Sequence, residues 1–160
     1  MYARCEDSQN AQYIDNMFSI IHGRAPISEW PIEEYNHKNY ADKAEIQQLD
    51  ALLFNELMDI NFYKVNGYLI RDPSTKKIVS YVLFEFKTTN SIYISSLGTV
   101  DAYTGRGFAS RLIKKVLSDY PKHIFTLKVN MSDKKSQGLV GFYEKLGFKI
   151  TYSSVTMQYN

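Results

Sequence analysis

Cysteine is almost absent from this chain. Cys5 stands alone, so no internal disulfide framework can hold the fold, which agrees with a reducing compartment. Histidine is nearly as scarce: His22, His37 and His123 are the only three, they show no ligand spacing with Cys5, and metal binding is not expected. No apolar run approaches the length of a membrane span, and the opening Met1-Tyr2-Ala3-Arg4-Cys5-Glu6-Asp7 lacks the charged-then-apolar layout of a signal peptide. These absences point to a soluble cytoplasmic protein with no membrane partner. Internal repeats and low-complexity segments are missing too. The basic residues are not interleaved with stacking aromatics, which argues against nucleic acid as a partner.

What is present suits one globular domain over residues 1–160. The hydrophobic content of 44% fills one core at this length and not two, and 22% charged residues exclude compositional disorder. The thirteen tyrosines read as core and half-exposed aromatic surface. Charge is unevenly spread. Residues 1–60 hold eleven acids and four bases, and residues 61–160 hold six acids and fifteen bases. A basic second part suits a polyanionic cofactor and an acidic first part a cationic acceptor, while solvated surface explains both equally well.

Periodicity and turn residues divide the chain into elements. A short strand is expected over Tyr2–Glu6, then a helix over Gln9–Ile21 closed by Gly23. A long irregular connection follows, from Gly23 to Tyr40, of the kind that is usually functional or mobile. Helical spacing returns over Asp42–Asp59 through Ile46, Leu49, Leu53 and Leu57. Strands are expected at Gly67–Arg71, Ile78–Lys87, Ile92–Val100 and His123–Asn130, the first three joined as hairpins through Asp72-Pro73-Ser74-Thr75 and Thr88-Thr89-Asn90. Ser136 caps a last helix to Leu146, and Lys149–Tyr152 and Val155–Tyr159 close the chain as strands.

The most informative stretch is Ser91 to Tyr120. A strand-like run rich in β-branched and aromatic residues leads into Thr104-Gly105-Arg106-Gly107-Phe108-Ala109. Apolar residues then recur at Phe108, Leu112, Val116 and Tyr120, with Ile113 and Leu117 beside them, a helical face. A strand turning sharply into a helix aims unpaired backbone N–H groups and the positive end of the helix dipole into one small volume, and glycines let a phosphate come close. A Rossmann pattern would need a third glycine and a later acidic residue, and a Walker loop would need Gly-Lys-Ser/Thr. Neither is present.

The turn, together with the later Gly141-Phe142-Tyr143-Glu144-Lys145-Leu146-Gly147-Phe148, resembles the GNAT family of acyl-CoA-dependent N-acyltransferases. The resemblance covers nearly the whole chain. It implies an α/β fold, a mixed and largely antiparallel sheet of about six to seven strands flanked by about four helices. It also implies acetyl-CoA as cosubstrate, no metal, and an amine as acceptor, in a monomer or homodimer. Thr104, Gly105, Arg106, Gly107, Phe108, Ala109 and Ser110 would cradle the pyrophosphate, with Thr104 where the family usually has Arg or Gln and Arg106 supplying positive charge. Leu97, Gly98 and Thr99 would pair with the pantetheine arm, and the Leu97 N–H would polarise the thioester carbonyl. Gly98 also fits a β-bulge or a close backbone approach.

Tyr143 takes the place of the family's tyrosine that protonates the departing thiolate. Ser136, seven positions earlier where the family often has Asn, becomes a cofactor contact. The base is the least defined part. Ser95 and Ser96 stand where relatives often carry a carboxylate, so a water relay at Ser96, Glu85 on the preceding strand, or His37 are the candidates, while His22 and His123 read as structural. A cationic small amine, polyamine- or aminoglycoside-like, is the expected acceptor. The alternatives are a protein or peptide amine, or a CoA-binding regulatory module without turnover.

Overall fold

The computed structural model describes residues 26–36, 38–49, 65–129, 134–151 and 156–159. The expected first strand, the helix over Gln9–Ile21, His22, His37 and the second half of the Asp42–Asp59 helix lie outside the described residues. The chain of elements runs from a 3-10 turn at Ile27–Glu29 to β1 (Ile32–Glu34), α1 (Tyr40–Leu49), β2 (Val65–Arg71), β3 (Ile78–Phe86) and β4 (Ser91–Thr99). A second 3-10 turn at Asp101–Tyr103 leads into α2 (Phe108–Asp119), β5 (Ile124–Lys128), α3 (Lys134–Lys145), β6 (Lys149–Ile150) and β7 (Thr156–Tyr159).

These seven strands form a single sheet in the order β1-β2-β3-β4-β5-β7-β6. Every pairing is antiparallel except β4 with β5. A parallel pair requires a crossover, and α2 is that crossover. Its apolar stripe, Phe108, Leu112, Ile113 and Val116, is fully buried in the larger core, where it meets Val82, Phe84, Ile94, Leu97 and Phe125 from the strands and Leu139, Phe142 and Tyr143 from α3. The opposite face of β2 and β3 holds a smaller core, with Ile46 of α1 against Leu69, Ile78, Tyr81 and Leu83. Covered on both sides, β3 is buried through its first seven residues and therefore reads as a continuous apolar run, not an alternation.

Tertiary contacts move several boundaries. Asn39 Oδ1 accepts the amides of Ala41 and Asp42 at 3.1 and 3.4 Å, a side-chain cap that starts α1 at Tyr40, two residues before the expected Asp42. The long connection is not wholly irregular, because Ile32, Glu33 and Glu34 add to the sheet edge opposite Ile70, Leu69 and Tyr68. Ser136 lies inside α3, two residues past its first residue, not at its cap. The acids of the first part also have a structural task. Arg71 holds Asp42, Glu45 (3.2 Å) and Glu33 (3.5 Å), and the other Glu45 oxygen accepts the Ile78 amide at 2.7 Å. Three acids expected to attract a cationic acceptor therefore tie α1 and β1 to β2.

Candidate active site

The sheet opens between β4 and β5. The two strands pair only through Ser91, Ile92 and Tyr93 against Ile124, Phe125 and Thr126. Beyond Tyr93, β4 continues to Thr99 along β3, while Leu127 and Lys128 of β5 pair with Met157 and Thr156 of β7. The register explains the parting. Leu83 faces Ser96 and Phe84 faces Ile94, so Ser95 is an extra residue, and such a bulge bends its strand and tightens its twist. It falls just after the last β4 residues that reach β5. Leu97, Gly98 and Thr99 are left with a backbone edge that β5 does not cover.

Gly98 is thus not the bulge. Its need for glycine comes from a close approach: a Cβ there would lie 2.6 Å from Cε1, Cζ and the hydroxyl of Tyr81. Ser80 Oγ donates to the Gly98 carbonyl at 3.0 Å and lies 2.9 Å from Thr99 Oγ1, so this end of β4 is held firmly against β3.

Past the second 3-10 turn, the backbone takes left-handed conformations at Gly105 (φ 75°) and Gly107 (φ 89°), where an L side chain costs about 1–2 kcal/mol. No side chain caps α2 and its first turn holds no acid, so among the described residues no side chain takes up its leading amides or offsets the positive end of its dipole. Four contacts fix the turn. The Tyr103 hydroxyl donates to Asp72 at 2.7 Å, Trp30 stacks on Phe108 at 5.5 Å, and Arg111 donates to the carbonyls of Ile27 and Trp30 at 3.2 and 2.9 Å. Burial alone would raise the pKa of Asp72, but hydrogen bonds from Ser74 and Tyr103 and from the Ser74 and Thr75 amides hold it below its ordinary value. Desolvation lowers that of Arg111. The Thr104 hydroxyl is turned inward to the Asp101 carbonyl at 2.9 Å, and the Arg106 guanidinium lies 5.5 Å from the Tyr103 ring centre. Uncapped amides, two left-handed glycines and a half-buried arginine fit a diphosphate.

Tyr143 is completely buried, its ring 5.2 Å from that of Phe142 and 5.6 Å from that of Phe148. Burial pushes its phenol upward, which keeps the proton on oxygen at neutral pH. Glu85 lies on the face opposite Phe84, as its alternation requires, but it pairs with Tyr93 before the opening begins and binds Lys87 Nζ at 2.6 Å. Ser96, facing Leu83, is buried with no hydrogen-bond partner for its hydroxyl, and the hydroxyl of Tyr35 is likewise buried and unpartnered. Burial, with the Asp42 carboxylate second, pushes the Tyr35 phenol up to about 12. The structure therefore brings Ser96, Leu97, Gly98 and Thr99 to the opening and Thr104 to Ser110 to the turn beyond it. It leaves Glu85 outside the opening. Tyr35, Tyr81, Trp30 and Arg111 carry no motif, and only their long-range contacts reveal them. Among the described residues no group of three His, Cys, Asp or Glu could hold a metal, and no helix is long and apolar enough to cross a membrane.

The fold is similar to those of several solved acetyltransferases. An aminoglycoside 6'-N-acetyltransferase complexed with coenzyme A is similar at 13% identity over 80% of this chain and 95% of that one, TM-score 0.68. The aminoglycoside 6'-N-acetyltransferase from Enterococcus faecium is similar at 14% identity, over 81% and 96%, TM-score 0.65. Arabidopsis thaliana NAA60 in complex with a bisubstrate analogue is similar at 14% identity, over 80% and 96%, TM-score 0.60. No curated protein matches the sequence. The profile of the acetyltransferase (GNAT) family matches residues 24–148, and the chain belongs to that family. It is an acyl-CoA-dependent N-acyltransferase with acetyl-CoA as cosubstrate.

Proposed function

We propose that this protein acetylates the amine of a cationic small molecule, polyamine- or aminoglycoside-like, in the cytoplasm. The observation that carries this reading is the parting of β4 from β5 beside an uncapped, glycine-built helix start. The backbone amides from Gly105 to Ser110 would hold the diphosphate, with Arg106 adding charge, and the free edge at Leu97, Gly98 and Thr99 would take up the pantetheine amides as an added strand takes up its neighbour. Acetyl-CoA supplies a thioester whose carbonyl carbon gains a bond to the acceptor nitrogen as its bond to sulfur breaks.

The chain's own groups handle charge and protons. The Leu97 N–H, on the edge that β5 leaves and buried from water, would donate to the carbonyl oxygen. Tyr143, kept protonated by burial, supplies the proton that the leaving thiolate needs. The acceptor's ammonium proton is relayed to bulk solvent through an ordered water at the Ser96 hydroxyl, which is buried with no protein partner and can hold that water in place of a carboxylate base. The acids of residues 1–60 that Arg71 does not hold favour a cationic acceptor. Two of the similar proteins are named as aminoglycoside acetyltransferases, which supports a small-molecule amine over a peptide. Ser136, in the first turn of α3, is a further cofactor contact in this reading.

The direct test supplies acetyl-CoA and a panel of polyamines, aminoglycosides and peptide N-termini, and measures released thiol. Release with a cationic small amine and none with peptides is the expected result. Release with peptides alone overturns the substrate class. The complete burial of Tyr143 favours one second reading, a CoA-binding module without turnover. Tight CoA binding with no thiol released for any amine would establish it.

A further inference from the structure

We infer that Tyr81 closes the acyl end of the cofactor site and restricts it to short acyl groups. This rests on the cofactor reading above and adds to it the residue that sets acyl size. Tyr81 belongs to β3, directly opposite Gly98 of β4. The atoms that crowd the missing Cβ of Gly98 are the far end of the ring: Cε1, Cζ and the hydroxyl, all at 2.6 Å. A tyrosine hydroxyl reaches about as far from its own Cα as the neighbouring strand lies. The side chain therefore leans toward β4, and its tip stands over Gly98, on the strand whose other edge β5 leaves after Tyr93.

Two further facts make this a wall and not loose cover. Tyr81 is 2% exposed and packed among Leu69, Ile78 and Leu83, so it has no space into which to swing. Its neighbour on the same face, Ser96, is buried with a hydroxyl that finds no protein acceptor or donor. A polar atom left in that state points to a small ligand or water beside it. A thioester lying along Leu97 and Gly98 would direct its acyl group toward the Tyr81 tip. No carbon fits between the tip and Gly98, so the acyl group must end short of the ring, and each further methylene must displace a packed aromatic side chain. Gly98 and Tyr81 are then a matched pair: glycine makes room for the ring, and the ring takes that room from the acyl chain.

The experiment measures binding of CoA, acetyl-CoA and butyryl-CoA by calorimetry, with no amine present, to the wild type and to Tyr81→Phe, Tyr81→Leu and Tyr81→Met. The expected wild-type result is butyryl-CoA at least about tenfold weaker than acetyl-CoA, the size of effect that extra methylenes have in a closed pocket. Tyr81→Phe keeps that gap. Tyr81→Leu or Tyr81→Met closes it to about threefold or less while CoA itself binds as in the wild type. Equal binding of the two thioesters by the wild type overturns the wall without any variant. A gap that persists in the Leu or Met variant overturns it as well. In both cases CoA binding stays intact, which separates this failure from that of the cofactor reading, where CoA does not bind at all. A second check uses Gly98→Ala, whose new methyl must displace the ring. Its melting temperature is expected to fall, and Tyr81→Leu is expected to recover part of that loss in the double variant.

Discussion

Glycine at 107 is required by the backbone and, in the cofactor reading proposed above, by the ligand as well. Its φ of 89° makes any side chain costly by about 1–2 kcal/mol, and in that reading a Cβ at the start of α2 would stand in front of the amides proposed to hold the diphosphate. Gly107→Ala is therefore expected to lower stability by about 1 kcal/mol and to weaken CoA binding far more than that loss explains. Calorimetric titration below the melting transition separates the two effects. Tyr143, the proposed acid, is expected to give the complementary case, in which chemistry is lost and binding kept. Tyr143→Phe preserves the packing against Phe142 and Phe148 and removes only the hydroxyl. We expect thiol release to slow by about a hundredfold, the usual worth of a positioned acid, with the dissociation constant of CoA unchanged.

At the scale of elements, the turn before α2 depends on a hydrogen bond that it donates to the β2–β3 hairpin. Tyr103 donates to Asp72 from across the β2–β3 turn, and Asp72 is among the groups whose ionised form the fold favours. A carboxyl depressed in the folded state contributes stability above its unfolded pKa, near 3.9, and loses that contribution as pH falls through its lower folded value. Tyr103→Phe is expected to cost about 1 kcal/mol at pH 7, a charged hydrogen bond discounted for partial exposure. For a domain of this size that is about 2–4 °C in melting temperature. Because the remaining hydrogen bonds to Asp72 are unaffected, the gap between variant and wild type should narrow as pH is lowered toward 3. A constant gap across pH would mean that the tyrosine contributes only packing.

For the molecule as a whole, Arg71 is the joint between its acidic first part and the sheet. It binds Asp42 and Glu45 of α1 and Glu33 of β1, and with a side chain only 23% exposed it works in partly desolvated surroundings. Arg71→Met leaves three carboxylates facing one another. The expected loss is about 3 kcal/mol, as when one partner of a buried pair is removed. About half-molar salt should recover part of it by screening the repulsion. Urea melts with and without salt measure this directly. A loss under about 0.5 kcal/mol would mean the three contacts behave as ordinary surface pairs.

How much of this was readable from the residues alone follows from the range of the interactions involved. Helix α2 and the turn before it are local: the apolar recurrence from Phe108 to Val116 and the glycines at 105 and 107 specify them within about a dozen residues, and with the Gly141–Phe148 segment they carried the family. Strands β2, β3 and β4 were readable for the same reason, since side-chain alternation and turn residues act between neighbours in the chain. The Ser95 bulge was not, because a bulge is a mismatch between two strands and neither strand contains it alone. Nor was the reason for Gly98, which lies in a tyrosine seventeen residues earlier, or the placing of Arg111 on the carbonyls of Ile27 and Trp30. Local sequence chose the elements and the glycine turn. The register between strands, which depends on the sum of many distant contacts, chose where the sheet parts and which side chains surround the opening.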